Sequence, residues 1–205
     1  MKFLIGKKIG MTQIFDDKGN MVPVTLVEAG PCYIAQKKDG KKDGYLAVQI
    51  GWGELKKANK PSAGHLKNSG KQLRYLREFR DKTNKENFEG VNVGDKIDVS
   101  VFQEKDKVSV SSVSKGKGFA GMIKRWGASR KPTTHGAKHQ TRAMGSVGCR
   151  FPQRVVKGRK MPGRLGFDRV SIKNLQVMKI DRENNVLAIR GALPGPRGAV
   201  IEIRG

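Results

Sequence analysis

Met11-Thr12-Gln13-Ile14-Phe15 runs into Asp16-Asp17-Lys18-Gly19-Asn20 and out again into Met21-Val22-Pro23-Val24-Thr25-Leu26-Val27-Glu28. The middle five residues are turn formers, able to bond their own backbone or to take a positive φ. Beyond them Val22, Val24 and Leu26 fall on one face of a strand, with Pro23 and Thr25 on the other. The stretch reads as a β-hairpin. The same grammar repeats outward. Cys32 to Gln36 and Tyr45 to Ile50 flank Asp39-Gly40-Lys41-Lys42-Asp43-Gly44. Lys96 to Phe102 and Lys107 to Val113 alternate in the same way. Val170 to Ile180, Asn185 to Arg190 and Ala199 to Ile203 are strand-like, with turns at 181–184 and at Pro194-Gly195-Pro196. Many short strands separated by turns favour a closed barrel or a sandwich. Leu55 to Phe88 differs, being poor in β-branched residues. It reads as a small insertion (55–90) with one short helix at 60–68, and with 73–79 compatible with helix or strand, strand being favoured.

The 205 residues carry 42 Lys+Arg against 18 Asp+Glu, a net charge of +24. Such a surface repels itself unless a polyanion neutralises it. The excess is concentrated. Residues 115–169 hold Lys115, Lys117, Lys124, Arg125, Arg130, Lys131, Lys138, Arg142, Arg150, Arg154, Lys157, Arg159, Lys160, Arg164 and Arg169, and a single acid, Asp168. A quarter of the chain therefore carries +14, more than half of the excess. Leu, Ile, Val and Phe make up eight of these 55 residues, below the ~20% needed for a charged stretch to collapse alone. Ten of the 26 glycines lie here too. The segment reads as an extended, glycine-hinged arm that orders on a partner. A mere linker would have no use for Trp126, Phe119, Phe151, Met144 and Met161 among the charges. Rings and guanidinium groups stack on bases as well as neutralise phosphate. Trp126, His135 and His139 join the arm's cations as candidate nucleic-acid contacts.

Other classes of function find little support. No run approaches the ~18 apolar residues of a membrane helix. Phe3-Leu4-Ile5 is too short for a signal core of about 7–15 residues. Cys32 and Cys149 are too few and too far apart to form a disulfide framework. Gly116-Lys117-Gly118-Phe119-Ala120-Gly121 fits G-x-G-x-x-G, but no acid follows until Asp168. A dinucleotide site needs one about 20 residues on, within a βαβ unit. These glycines instead let backbone approach a phosphate chain beside Lys115 and Lys117. His135 and His139 have the spacing of half a zinc site, with no second half. Cys149 has basic neighbours but no acid to orient a histidine. The expectation is a protein with no catalytic residue, cofactor, metal or small-molecule substrate. The two rival readings are a nucleic-acid enzyme with a basic arm and a polybasic membrane-surface protein. The first lacks clustered carboxylates, and the second lacks a basic amphipathic helix.

Ser114-Lys115-Gly116-Lys117-Gly118-Phe119-Ala120-Gly121-Met122-Ile123-Lys124-Arg125-Trp126 resembles the signature of the bacterial ribosomal protein L three family. Ser109 stands where that pattern usually has Asp or Asn. Other blocks match in order, among them Ile5-Gly6-Lys7-Lys8-Ile9-Gly10-Met11-Thr12, Leu76-Arg77-Glu78-Phe79-Arg80, Thr134-His135-Gly136, Lys157-Gly158-Arg159-Lys160-Met161 and Gly191-Ala192-Leu193-Pro194-Gly195. The resemblance implies a mostly β fold: a closed Greek-key-like β-barrel of the translation-protein type (1–114 and 170–205), a small α-containing insertion and a long extended basic arm (115–169). It implies a structural role in the large ribosomal subunit, in the cytoplasm. Direct rRNA binding and early assembly go with that role, as do contacts with the ribosomal proteins numbered fourteen and nineteen. It places the arm's tip, Gly145, Ser146, Val147, Gly148, Cys149, Arg150 and Phe151, near the peptidyl transferase centre. Some members carry a methylated glutamine at the tip; here Gly148-Cys149-Arg150-Phe151-Pro152 has none.

Overall fold

The computed structural model describes residues 2–80, 88 and 90–205. Its strands are β1 (Phe3–Phe15), β2 (Met21–Ala29), β3 (Cys32–Lys38), β4 (Ala47–Glu54), β5 (Leu73–Arg80), β6 (Lys96–Ile97), β7 (Lys107–Val113), β8 (Phe119–Ala120), β9 (Gly163–Arg164), β10 (Arg169–Asp181), β11 (Val186–Arg190) and β12 (Val200–Arg204). Two short helices, α1 (Lys60–His65) and α2 (Met122–Trp126), accompany them. The expected hairpin is β1–β2, with Phe15 opposite Met21. Its turn is closed by Asp16 N–H to Asn20 O (2.9 Å) and Gly19 N–H to Asp16 O (2.7 Å).

Six strands close into a ring in the order β1-β12-β7-β10-β11-β2, each antiparallel to the next. Alternation puts Leu187 with Ile189 and Ile201 with Ile203 in the main core beside Val27, Val110 and Val177, the neighbours Leu4 and Ile5 of β1 are buried on both of its faces, and Val24 packs with Val22 and Ala188 in a smaller cluster. Each such side chain contributes roughly 1.5–3 kcal/mol. β1 and β2 cross so closely that a Cβ on Gly6 would lie 2.5 Å from Glu28 O. Lys8 is buried near the same crossing, and its ammonium donates to Leu193 O (2.7 Å) and Gly195 O (3.3 Å). Carbonyl partners of this kind offset the desolvation of a buried charge. Thr25, on the face of β2 opposite Val22 and Val24, is also buried, as are Val27 and Ala29 of the same face, and its hydroxyl donates to Gly191 O at 2.6 Å.

The remaining long strands leave the ring. β5-β4-β3-β6 form a second sheet, so the pair β3–β4 belongs to this sheet and not to the six-stranded ring. The strand expected at 73–79 is β5. The strand expected at Lys96 to Phe102 is only the two residues of β6. Val99–Val101 turns as a 3-10 helix, which buries Val99 and Phe102. The expected helix at 60–68 breaks after His65 into a 3-10 turn at Lys67–Ser69. Part of the expected insertion, 81–87 and 89, lies outside the described residues. Phe3 of β1 stacks on Phe79 of β5 with centroids 4.9 Å apart. Glu202 of β12 accepts from Arg77 Nε at 2.9 Å and also pairs with Arg169. These contacts bind the second sheet to the ring.

The chain divides into two compact units, Met1–Val113 with Arg169–Gly205, and Ser114–Asp168. The second unit departs from the end of β7 and returns at the start of β10, where Val113 and Arg169 are register partners.

Candidate nucleic-acid interface

The unit Ser114–Asp168 begins as a two-chain stalk. Ser114 N–H donates to Asp168 O (2.9 Å), and Asp168 N–H donates to the Ser114 hydroxyl (3.2 Å). Lys117 N–H then meets Leu165 O, and Leu165 N–H meets Gly118 O, each at 2.9 Å. β8 and β9 follow, pairing Phe119 with Arg164 and Ala120 with Gly163. Gly166 has φ +74°, and a Cβ there would run into Lys115 O. Only glycine fits that close approach. α2 stops at Gly127, whose left-handed conformation (φ +65°) lets its N–H cap Ile123 O.

A clasp closes the far end of the stalk. The Arg125 guanidinium and the Trp126 indole N–H both donate to Met161 O at 2.9 Å, and Arg125 lies 4.9 Å from the centroid of the Trp126 ring. One carbonyl thus holds two of the candidate contacts. Arg164 lies over Phe167 in the same way, at 4.9 Å.

Beyond the clasp, residues 128–158 form turns and irregular backbone. Lys131 N–H bonds Thr141 O (3.0 Å), and Ser146 Oγ–H bonds Gly148 O (2.6 Å). Arg159 reaches back to Ser146 O at 2.8 Å, joining the tip to the returning chain. Cys149 S–H points to Phe151 O at 2.8 Å. His135 sits in a turn at φ +57°. Neither His135 nor His139 joins a group of three or more metal-ligating side chains among the described residues.

All the candidate contacts in this unit are exposed except Arg125, which is half-buried. The tip from Gly145 to Phe151 is exposed throughout. Among the described residues of the unit, Ala120 alone is buried. Phe119, Phe151 and Phe167 are 80%, 70% and 61% exposed. Backbone hydrogen bonds therefore hold this unit without an apolar core, and its large rings stand outward among the cations. Sequence reasoning found the charges but missed the clasp. A backbone carbonyl at Met161 leaves no mark in the side-chain pattern. Among the described residues no helix is long and apolar enough to cross a membrane.

A ring of strands carrying a coreless, cation-rich loop defines a class, that of the β scaffold with a basic extension. A model of the family described as ribosomal protein L3 matches residues 82–192. The large ribosomal subunit protein uL3 of Carboxydothermus hydrogenoformans (strain ATCC BAA-161 / DSM 6008 / Z-2901) is 50% identical over 206 residues, 99% of this chain and 96% of that one. That of Thermosipho africanus (strain TCF52B) is 51% identical over 207 residues, 100% of this chain and 98% of its own. The chain belongs to the ribosomal protein L3 family. Its members are structural, non-enzymatic proteins of the ribosome, in the cytoplasm.

Proposed function

We propose that this chain is a structural component of the large ribosomal subunit that binds rRNA directly, supports early subunit assembly and sends its arm toward the peptidyl transferase centre. In this reading the ring is a Greek-key-like barrel of the translation-protein type, and 1–114 with 170–205 are the body. Residues 115–169 are the rRNA-binding arm, and the neighbouring proteins include those numbered fourteen and nineteen. One observation carries the reading: the arm exposes nearly all of its cations and large rings and buries almost nothing. An element so built is completed by a polyanion that fills the space between its charges. The arm's Arg and Lys neutralise phosphates and so let RNA strands pack closely. Its outward rings and guanidinium planes offer stacking surfaces for unpaired bases.

The test is the salt dependence of binding between the purified protein and large-subunit rRNA. With about 8 phosphates neutralised on irregular RNA, the log–log slope should be roughly −5 to −6. Changing Lys157, Arg159 and Lys160 to alanine should flatten it by about 2. Binding indifferent to salt would refute the reading.

A further inference from the structure

Residues 55–77 contain seven Lys and Arg and no acid. This density of positive charge matches the arm's, yet the segment lies on the folded second sheet. It is fixed there by a small core of its own, in which Leu66 and Leu73 (3% and 4% exposed) pack on Ala35 of β3, with Tyr33 and Leu76 against them. Leu55 N–H donates to Gln72 O at 3.0 Å and ties the two ends of the intervening loop together. His65 Nε2 meets Gln49 Oε1 of β4 at 2.6 Å and anchors the last residue of α1. The Ser69 hydroxyl bonds Leu66 O (2.8 Å), and Gly70 ends the 3-10 turn in the left-handed region.

The cations on this support fall into two sets. Lys71 lies over the Tyr33 ring (4.1 Å) and bonds its hydroxyl (2.7 Å), Arg74 lies over Tyr75 (5.2 Å), and Arg77 pairs with Glu202. Lys56, Lys57, Lys60 and Lys67 are exposed, and among the described residues their ammonium groups make no hydrogen bond or ion pair. A solvated protein face normally mixes signs, because like charges held together repel. Four lysines fixed on a rigid support, with no acid between Glu54 and Glu78, call for an external anion.

We propose that Lys56, Lys57, Lys60 and Lys67 form a second RNA-binding platform that grips phosphodiester backbone independently of the arm. The residue types set the mode of recognition. All four are lysines, compact point charges that neutralise phosphate without the bidentate fork by which arginine reads a base edge. The arm mixes Arg with exposed rings, whereas the platform has neither at its four open positions. It therefore positions the body on RNA without reading sequence. The loop is already ordered in the free protein, so binding there carries little ordering cost.

This inference rests on the reading that the chain binds rRNA, and one experiment separates the two. The full-length protein carrying Lys56→Gln, Lys57→Gln, Lys60→Gln and Lys67→Gln is titrated with large-subunit rRNA across a range of salt. The wild type and the Lys157, Arg159, Lys160 alanine variant serve as controls. Four lost phosphate contacts should flatten the slope by about 3, and the protections lost from the RNA footprint should differ from those lost in the arm variant. Should the fourfold variant fail to fold, the pairs Lys56→Gln with Lys57→Gln and Lys60→Gln with Lys67→Gln should each give about half that change. A wild-type slope in the platform variants, with the arm variant flattened, overturns the platform alone and assigns these lysines to an acidic protein surface or to solvent. A wild type whose binding ignores salt overturns both readings.

Discussion

Cys32 and Cys149 show how far position governs a side chain. Cys32 is wholly buried, accepting from Ile5 N–H and donating to Ile5 O, both at 3.4 Å. Burial pushes its thiol up to about 12. At pH 8 only about one molecule in ten thousand would hold the reactive thiolate. Cys149 is exposed. A thiol reagent should therefore label one cysteine in the native protein and two in denaturant, with Cys149 as the native site by peptide mapping. Rapid native labelling of Cys32 would contradict the packing. Asp106 makes a different point. Lys2 Nζ at 2.6 Å, then the Gln103 N–H at 3.0 Å, hold its carboxyl below the ordinary aspartate range. A depressed native value stabilises the fold above the unfolded-state value and is lost as pH falls through the native one. Asp106→Asn should lower stability at neutral pH. The difference from wild type should shrink below about pH 4 and vanish in stronger acid, as urea melts at several pH values will show.

At the scale of elements, the stalk and the distal loop of the arm differ in what holds them. The stalk has paired strands, a capped helix and the clasp on Met161 O, whereas residues 128–158 have scattered turns. Limited trypsin digestion of the free protein should cut first at Arg130, Lys138 or Arg142, with Lys117 and Lys124 cut later. Trp126→Phe deletes one donor to Met161 O, worth about 0.5–1.5 kcal/mol. In Gly163→Ala the new Cβ would lie 2.7 Å from an Arg125 guanidinium nitrogen. Either change should bring Lys124 and Arg125 into the early cuts, and an unchanged cleavage order would show the clasp to be dispensable. Elements were legible from sequence where their causes are local. The turn formers at 16–20 and the alternation after them suffice for β1–β2, and missing acids suffice to mark the arm. Partner choice between sheets is not local, so β3 and β4 could not be assigned away from the ring. The alternation at 96–102 reads as a strand, yet Val99 and Phe102 reach the core through a 3-10 turn. At β2 both faces carry buried residues, Val22 and Val24 on one and Thr25, Val27 and Ala29 on the other, so alternation alone does not tell which face is covered. The lysines of 56–67 carried the same signal as the arm, absence of acid, over a shorter span.

At the scale of the whole molecule, the six-stranded ring does not depend on the arm's side chains for its core. β7 and β10 are direct neighbours, paired from Val113–Arg169 inward to Lys107–Gln176. Replacing 115–168 by a short glycine-containing turn should leave an ordinary hairpin. The shortened protein should keep its circular dichroism and melt cooperatively, while the salt slope of its RNA binding falls to about −3, the share of the four platform lysines. Loss of cooperative melting would mean that the ring needs the arm. The same pairing has a topological consequence. The outgoing and returning chains stand side by side, about 4.5–5.5 Å apart at Cα, so the arm is a closed peninsula with no free end. It can enter a closed RNA loop only doubled and tip first, so the opening must admit two chains and the turns of the tip at once. A strand that encloses it more tightly than that must be laid down around it after it arrives, and must be lifted away again before it can leave. Once an RNA fold has shut behind it more narrowly than its tip, a copy of this protein should exchange with free copies at the rate at which the RNA opens, however weak its individual phosphate contacts are.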